Sequence, residues 1–193
     1  MKPRTFFQTI ALLLLTAFVA GTSFAQSEVD TTTVVFTTSY GDITILLFEK
    51  KAPVTARNFL AYVDSGLYDG TIFQRVIRGF MIQGGGFTTD LARKRTFPPI
   101  KNESDNGLSN DRGTVSMART LDPHSATSQF FINLVDNARL NFSDGRWGYA
   151  VFGKVIEGMD IVDQIGAAPT ETRGQFRDVP RENIVIISAR RKP

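Results

Sequence analysis

Cysteine is absent, and histidine and tryptophan occur once each, as His124 and Trp147. Without cysteine there is no disulfide, no thiolate nucleophile, no iron–sulfur cluster and no cysteine-ligated zinc. A single histidine excludes a multi-histidine metal site and leaves only one route to Ser–His–Asp chemistry. Excess charge is also scarce: 22 bases stand against 19 acids among 193 residues. A net charge of +3 is far from the concentrated basic face that nucleic acid requires. No apolar run reaches the roughly 20 residues a spanning helix needs.

The first 25 residues have a character of their own. Lys2 and Arg4 make a positive start, Ile10 to Ala20 is largely apolar, and Ser23-Phe24-Ala25 places small residues at a cleavage position before Gln26. This is the three-part layout of a cleaved secretory signal peptide. Removing it takes away two bases and no acid, leaving a nearly neutral mature chain. The reading is therefore a signal peptide at 1–25, a polar lead-in at 26–33 and one domain over 34–193.

In that domain, Val34, Phe36, Ile43, Ile45 and Leu47 lie in two β-rich runs around Tyr40-Gly41-Asp42, a hairpin signal. Pro53 opens a helix in which Ala56, Phe59, Leu60 and Val63 follow helical spacing, with Gly66 placed as its cap. Strands are expected over Thr71–Ile77, Phe80–Gln83, Thr114–Ala118, Gln129–Leu134, Ala150–Val155 and Asn183–Ala189. A short helix is expected over Met159–Ile165, before Gly166. Many short strands between Gly, Asn and Pro turns point to a barrel or sandwich.

Three motifs read as ordinary structure. Gly84-Gly85-Gly86 lacks the Lys-Ser/Thr of a phosphate loop and fits a bulge between strands. Asp122, His124 and Ser125 lie on one loop, without a nucleophile elbow, and read as a solvated turn. Arg93-Lys94-Arg95 and Arg190-Arg191-Lys192 read as solvated charge runs. More telling is Phe73 to Gly85. Alternation places Arg75 on a strand face with Phe73 and Ile77, and Gln74 with Val76 on the other. Such an arginine either lays its stem over apolar surface at a rim or presents a charge inside a pocket.

That segment, Phe73-Gln74-Arg75-Val76-Ile77-Arg78-Gly79-Phe80-Met81-Ile82-Gln83-Gly84-Gly85, closely resembles the cyclophilin family of peptidyl-prolyl cis–trans isomerases. Ser116-Met117-Ala118 with Ser128-Gln129-Phe130-Phe131-Ile132 matches a second family block, and Val151-Phe152-Gly153-Lys154-Val155 a third. The resemblance runs from about Val34 to Ala189 and, with the leader, points to the exported bacterial subgroup. It implies a mainly β fold: a closed eight-stranded antiparallel barrel capped by two α-helices. It also implies a periplasmic, monomeric enzyme acting on proline-containing polypeptides, unfolded or flexible exported proteins. No nucleic-acid partner, no membrane insertion after cleavage, no metal and no cofactor are expected. The alternative is a proline-peptide binding module or chaperone on the same scaffold.

By matching positions, the resemblance makes Arg75 and Gln83 catalytic. It assigns Phe80, Met81, Phe131 and Leu140 to an apolar cup for the proline ring. Gln129 joins Gln83 on the polar side, and the backbone at Arg119 pairs with the residue before proline. Tyr149 stands where many members have His and is placed at the cup's edge. The chain departs from the family at Gln74 (usually His), Arg119 (usually Asn) and Arg139 (often Trp, or Phe in bacteria). It also carries a longer loop with Trp147 between Leu140 and Tyr149. The resemblance further implies cyclosporin as an inhibitor, one that tight-binding members hold with an indole at the position of Arg139.

Overall fold

The computed structural model describes residues 32–192. The expected leader and nearly all of the lead-in lie outside those residues; Thr33, at the end of the lead-in, opens the first strand.

Strands β1 (Thr33–Thr38) and β2 (Gly41–Leu47) pair antiparallel through a two-residue turn at Ser39-Tyr40, one position earlier than the sequence suggests. Thr38 Oγ1 donates to the Gly41 carbonyl at 2.7 Å and accepts from Tyr40 N, closing the turn. Helix α1 (Pro53–Asp64) buries Ala56, Phe59, Leu60 and Val63, the stripe its spacing predicts. Its proline start needs no N–H partner. The next two orphan amides, of Val54 and Thr55, donate to the Glu103 carboxylate at 3.0 and 2.8 Å. An anion at the positive helix end is thus supplied from 48 residues away. Gly66 follows with φ +67°, the left-handed turn expected of a stop signal.

β3 (Thr71–Ile72), β4 (Arg75–Ile77), β5 (Met81–Gly84), β6 (Thr114–Met117), β7 (Phe130–Asn133) and β8 (Val151–Glu157) come next. After them come α2 (Met159–Gly166), β9 (Thr170–Arg173), β10 (Phe176–Pro180) and β11 (Val185–Arg191). Nine strands form one antiparallel sheet in the order β3-β11-β1-β2-β8-β6-β7-β5-β4. Its two outermost strands, β3 and β4, are separated in the chain only by Phe73 and Gln74, so the sheet must roll until its edges meet. The expected strand Thr71–Ile77 is therefore broken. Ile72 pairs with Val185 and Phe73 N donates to Ile184 O, whereas Arg75 pairs with Gln83. One straight strand could not serve both neighbours. Counting the broken strand once recovers the eight strands expected, in a rolled sheet with α1 and α2 packed against it.

The interior is aromatic. Phe130 has the rings of Phe36, Phe59, Tyr68 and Phe73 at centroid distances of 5.3, 5.9, 5.6 and 6.1 Å. Gly166 lies within α2 and does not end it; a Cβ there would come within 2.7 Å of Leu134, so the glycine lets the helix close on the sheet.

Two further features depart from the sequence reading. β9 and β10 form a separate two-stranded ribbon over a charged stretch with no apolar alternation, anchored by the Phe176 ring edge-on to Phe87 at 5.2 Å. Lys94 belongs to no solvated charge run: its Nζ donates to the Leu67 and Asp69 carbonyls at 2.6 and 2.9 Å.

Arg190 and Arg191 do lie at the surface, paired with Asp69 and Asp64 at 2.6 Å each. Hydrogen bonds from these guanidiniums hold both carboxyls below the ordinary carboxylate range. A depressed folded-state pKa contributes stability above the unfolded value and loses it as pH falls through the folded one. The thermal midpoint should accordingly hold near neutrality and decline gently below about pH 4. Replacing Arg190 and Arg191 by Gln should flatten that decline, as pH-resolved melting curves would show. Among the described residues, no helix is long and apolar enough to cross a membrane.

Candidate active site

Alternation along four paired strands builds the site. Val76, Ile82, Ile132 and Val115 face the core. Their neighbours Arg75, Gln83, Phe131 and Ser116 must then face outward, and they fall in one row: Arg75↔Gln83, Gln83↔Phe131 and Phe131↔Ser116 are register pairs. The family-matched residues thus meet because one sheet face carries them.

Above this face lies a cavity of about 410 Å³ lined by Arg75, Phe80, Met81, Gln83, Arg119, Phe131, Leu140 and Tyr149, together with Ala118. Met81 and Phe131 are only 2% and 4% exposed, although they sit on the sheet's outer side, because Phe80, Leu140 and Tyr149 rise around them. Tyr149 meets Phe131 edge-to-face at 5.5 Å. Gln129 is the one matched residue that does not line this cavity. It lies beside it, where its Oε1 accepts from Gln83 Nε2 at 3.0 Å and from the buried Gln74 at 2.8 Å. Gln74, in the place of the family histidine, thereby holds the amide that orients Gln83. Ala118 was missed in the sequence, though it follows Ser116 on the same alternating face.

The glycine run backs this arrangement. Gly85 has φ +82°, and a Cβ there would come within 2.9 Å of the Tyr68 and Phe130 rings. A Cβ on Gly86 would overlap Gln129 Cγ. The run is packed against the barrel and Gln129, as a bulge reading requires.

Arg75 is half-exposed, with Nε 3.8 Å from Asp178 Oδ2 on the β9–β10 ribbon. Asp178 has φ +59° at a register shift in β10. Nothing in its local sequence marks it as a neighbour of Arg75, since the ribbon itself was not legible. An asparagine network under the rim was equally hidden. Asn137 Nδ2 donates to Phe80 O at 3.0 Å and to Asn133 Oδ1 at 2.7 Å. Asn110 Oδ1 accepts from Ser116 Oγ at 2.7 Å, and its backbone N–H donates to Asn141 Oδ1 at 2.7 Å. Side chains that look like solvated turn residues thus hold the backbone at Phe80 and, through Asn110 Nδ2, at Tyr149.

The rim loop between Leu140 and Tyr149 is a tight hairpin with Ser143 and Arg146 bridged. The Arg119 guanidinium donates to Gly148 O at 3.1 Å and Trp147 O at 2.8 Å and covers the Tyr149 ring at 4.6 Å. Its side chain is therefore used, where the sequence suggested only its backbone. His124 Nδ1 accepts from Asn102 N at 3.1 Å, and its ring meets Trp147 edge-to-face at 5.2 Å. Ser125 Oγ donates to Asp122 O at 2.6 Å. These three residues form a local turn, as their spacing suggests.

The model of the family described as cyclophilin type peptidyl-prolyl cis–trans isomerase/CLD matches residues 33–191, the whole rolled sheet with its helices. This chain belongs to that family. Peptidyl-prolyl cis–trans isomerase A of Dickeya dadantii (strain 3937) is 52% identical over 98% of each chain. Isomerase B of Escherichia coli (strain K12) is 56% identical over 80% of this chain and 96% of its own. Among solved structures, a Cryptosporidium parvum cyclophilin superposes with TM-score 0.70 at 30% identity, covering 84% of this chain and 98% of that one. The same protein was also solved in the presence of the dipeptide Ala-Pro. The cyclophilin described here is thus a peptidyl-prolyl cis–trans isomerase, with a mainly β fold and two helices.

Proposed function

We propose that this isomerase works on Xaa-Pro bonds of exported polypeptides in the periplasm, with Arg75 and Gln83 catalytic and the cavity above them as the proline cup. The observation carrying this reading is the charged donor Arg75, beside Gln83, at the edge of a cup whose apolar walls are Phe80, Met81, Phe131 and Leu140.

The chemistry follows from the amide. Rotation about the partial double bond meets a barrier near 18–20 kcal/mol, and no bond is made or broken. In the twisted amide the proline nitrogen loses resonance and its lone pair becomes an acceptor. A fixed donor aimed at that nitrogen binds the twisted state more tightly than either planar ground state. Arg75 stays charged and carries several donors. Gln83, held by Gln129, steadies that end of the cup. The apolar walls hold the ring while the preceding carbonyl turns, and Arg119 borders the strip where the residue before proline lies. Exchange or protease-coupled isomerisation of an Xaa-Pro peptide, wild type against Arg75→Ala, tests these roles.

Export rests on the leader, and the Dickeya alignment covers nearly all of it. The mature chain is expected to begin at Gln26; mass spectrometry of exported protein bearing Met1 or Lys2 would overturn this.

Cyclosporin sensitivity follows from Arg139, whose guanidinium lies 5.0 Å above the Phe80 ring. A charge there must be desolvated beneath a largely apolar ligand, and losing an aromatic anchor commonly costs at least 2 kcal/mol, roughly 30-fold in affinity. Weak inhibition is expected, with Arg139→Trp sensitising the enzyme in an inhibitor titration. Tight inhibition lost in Trp147→Ala would instead give the role to Trp147.

A further inference from the structure

A second groove, of about 660 Å³, opens beside the cup and shares Arg119, Leu140 and Tyr149 with it. Three of its lining residues are arginines: Arg119, Arg139 and Arg146. Trp147 lines it as well, and Leu121 is 99% exposed at its edge. Among the described residues, no carboxylate lines the groove.

What sets these three apart is that they gather on one groove and their guanidiniums are held there without a carboxylate. Arg112, Arg173, Arg190 and Arg191 each pair with an aspartate or glutamate. Among the described residues, Arg119, Arg139 and Arg146 have no such partner. They bind neutral groups: the carbonyls of residues 120, 147 and 148 for Arg119, those of residues 139 and 141 for Arg146, and the Phe80 ring for Arg139. Such contacts fix where the guanidiniums lie but leave their charge uncompensated. The acids on the two loops that form the groove are Asp122 and Asp144, both exposed. Asp122 accepts from His124 N at 2.9 Å, and neither acid lines the groove.

We propose that this groove is a specificity subsite that takes a carboxylate side chain of the substrate polypeptide, Glu or Asp, close in sequence to the proline. The inference rests on reading the adjoining cavity as the proline cup. One extended residue advances the chain by about 3.3 Å, so a chain seated in the cup carries its next residues across the shared wall of Arg119, Leu140 and Tyr149. There a carboxylate meets three oriented cations, and a lysine meets like charge. Arg139 is the residue shared by both effects, because it stands over Phe80 on the cup side and lines the groove on the other.

The test uses tetrapeptides blocked at both ends, with one Glu, Gln or Lys placed in turn at each position flanking an Xaa-Pro bond. Blocking removes terminal carboxylates; a parallel set with a free C-terminus shows whether that group serves as well. The readout is kcat/KM by exchange spectroscopy. At one position the Glu peptide should exceed the Lys peptide by about five- to tenfold at low salt, as expected for a few partly exposed charge contacts. The ratio should approach one in 1 M salt, where the screening length is about 3 Å. Arg139→Gln should reduce the ratio and Arg139→Glu should invert it. Each ratio is taken within a single protein, so a general loss of activity or stability cancels. A wild-type ratio below twofold at every position, or one that survives in Arg139→Glu, overturns the subsite. A wild type that fails to turn over the neutral Gln peptide would overturn the cup itself.

Discussion

Arg75→Ala should lose about 10²–10³ in kcat/KM while remaining folded, the usual effect of removing one preorganised donor to a transition state. The two halves of this expectation have separate grounds. Activity should fall because Arg75 is the charged member of the register row Arg75↔Gln83↔Phe131, and the lost interaction belongs to the twisted amide, not the bound ground state. Substrate binding in the apolar cup should therefore persist, and kcat should drop more than KM rises. Folding should survive because the side chain is 45% exposed and its ion pair with Asp178 spans 3.8 Å. Exposed pairs of that kind contribute roughly 0–1 kcal/mol. Arg75→Lys should recover only part of the rate, since a point charge lacks the planar fork. Near wild-type turnover in Arg75→Ala, or a collapsed fold by circular dichroism, would remove Arg75 from its role.

The adjacent phenylalanines should separate stability from activity. Phe130 is fully buried among four aromatic rings. Truncating such a residue to alanine costs about 3–5 kcal/mol, because transfer energy is lost and a cavity remains. For a chain of this size that lowers the melting point by roughly 6–20 °C. Phe131 points the other way, into the cup beside Tyr149. Phe131→Ala should cost markedly less stability and much more of kcat/KM. Paired melting curves and isomerisation rates on the two variants check this, and equal effects on both readouts would contradict the facing assigned to them.

Why one phenylalanine is scaffold and its neighbour part of the site is a question of register. Phe130-Phe131-Ile132 is a continuous apolar run, and a run of this kind does not reveal which face is buried. Alternation says only that the two rings point opposite ways. The direction is settled where β7 pairs with β5 and β6, since a one-residue slip would exchange the faces. The resemblance to the cyclophilin family places Phe131, not Phe130, at the cup.

Periodicity was sufficient where an element is stabilised by its own residues. The stripe Ala56, Phe59, Leu60, Val63 and the proline start of α1 were legible because helical contacts repeat within a few positions. The turn at Asp122 was legible for the same reason, its bonds spanning two or three residues. The proposed leader is read from composition alone, and that reading needs no fold at all. Tertiary structure alone decided the features whose partners are distant in the chain. Glu103 caps a helix 48 residues away, Gln129 holds Gln74 across 55, and Asp178 reaches Arg75 from a ribbon whose charged sequence shows no strand period. The break of β3 from β4 is of the same kind, because only closure of the sheet requires Phe73 to serve one neighbour and Arg75 another. Local preferences act through the few dihedrals and side chains near each residue, whereas these arrangements exist only after the sheet has rolled and brought remote polar groups close enough to satisfy one another.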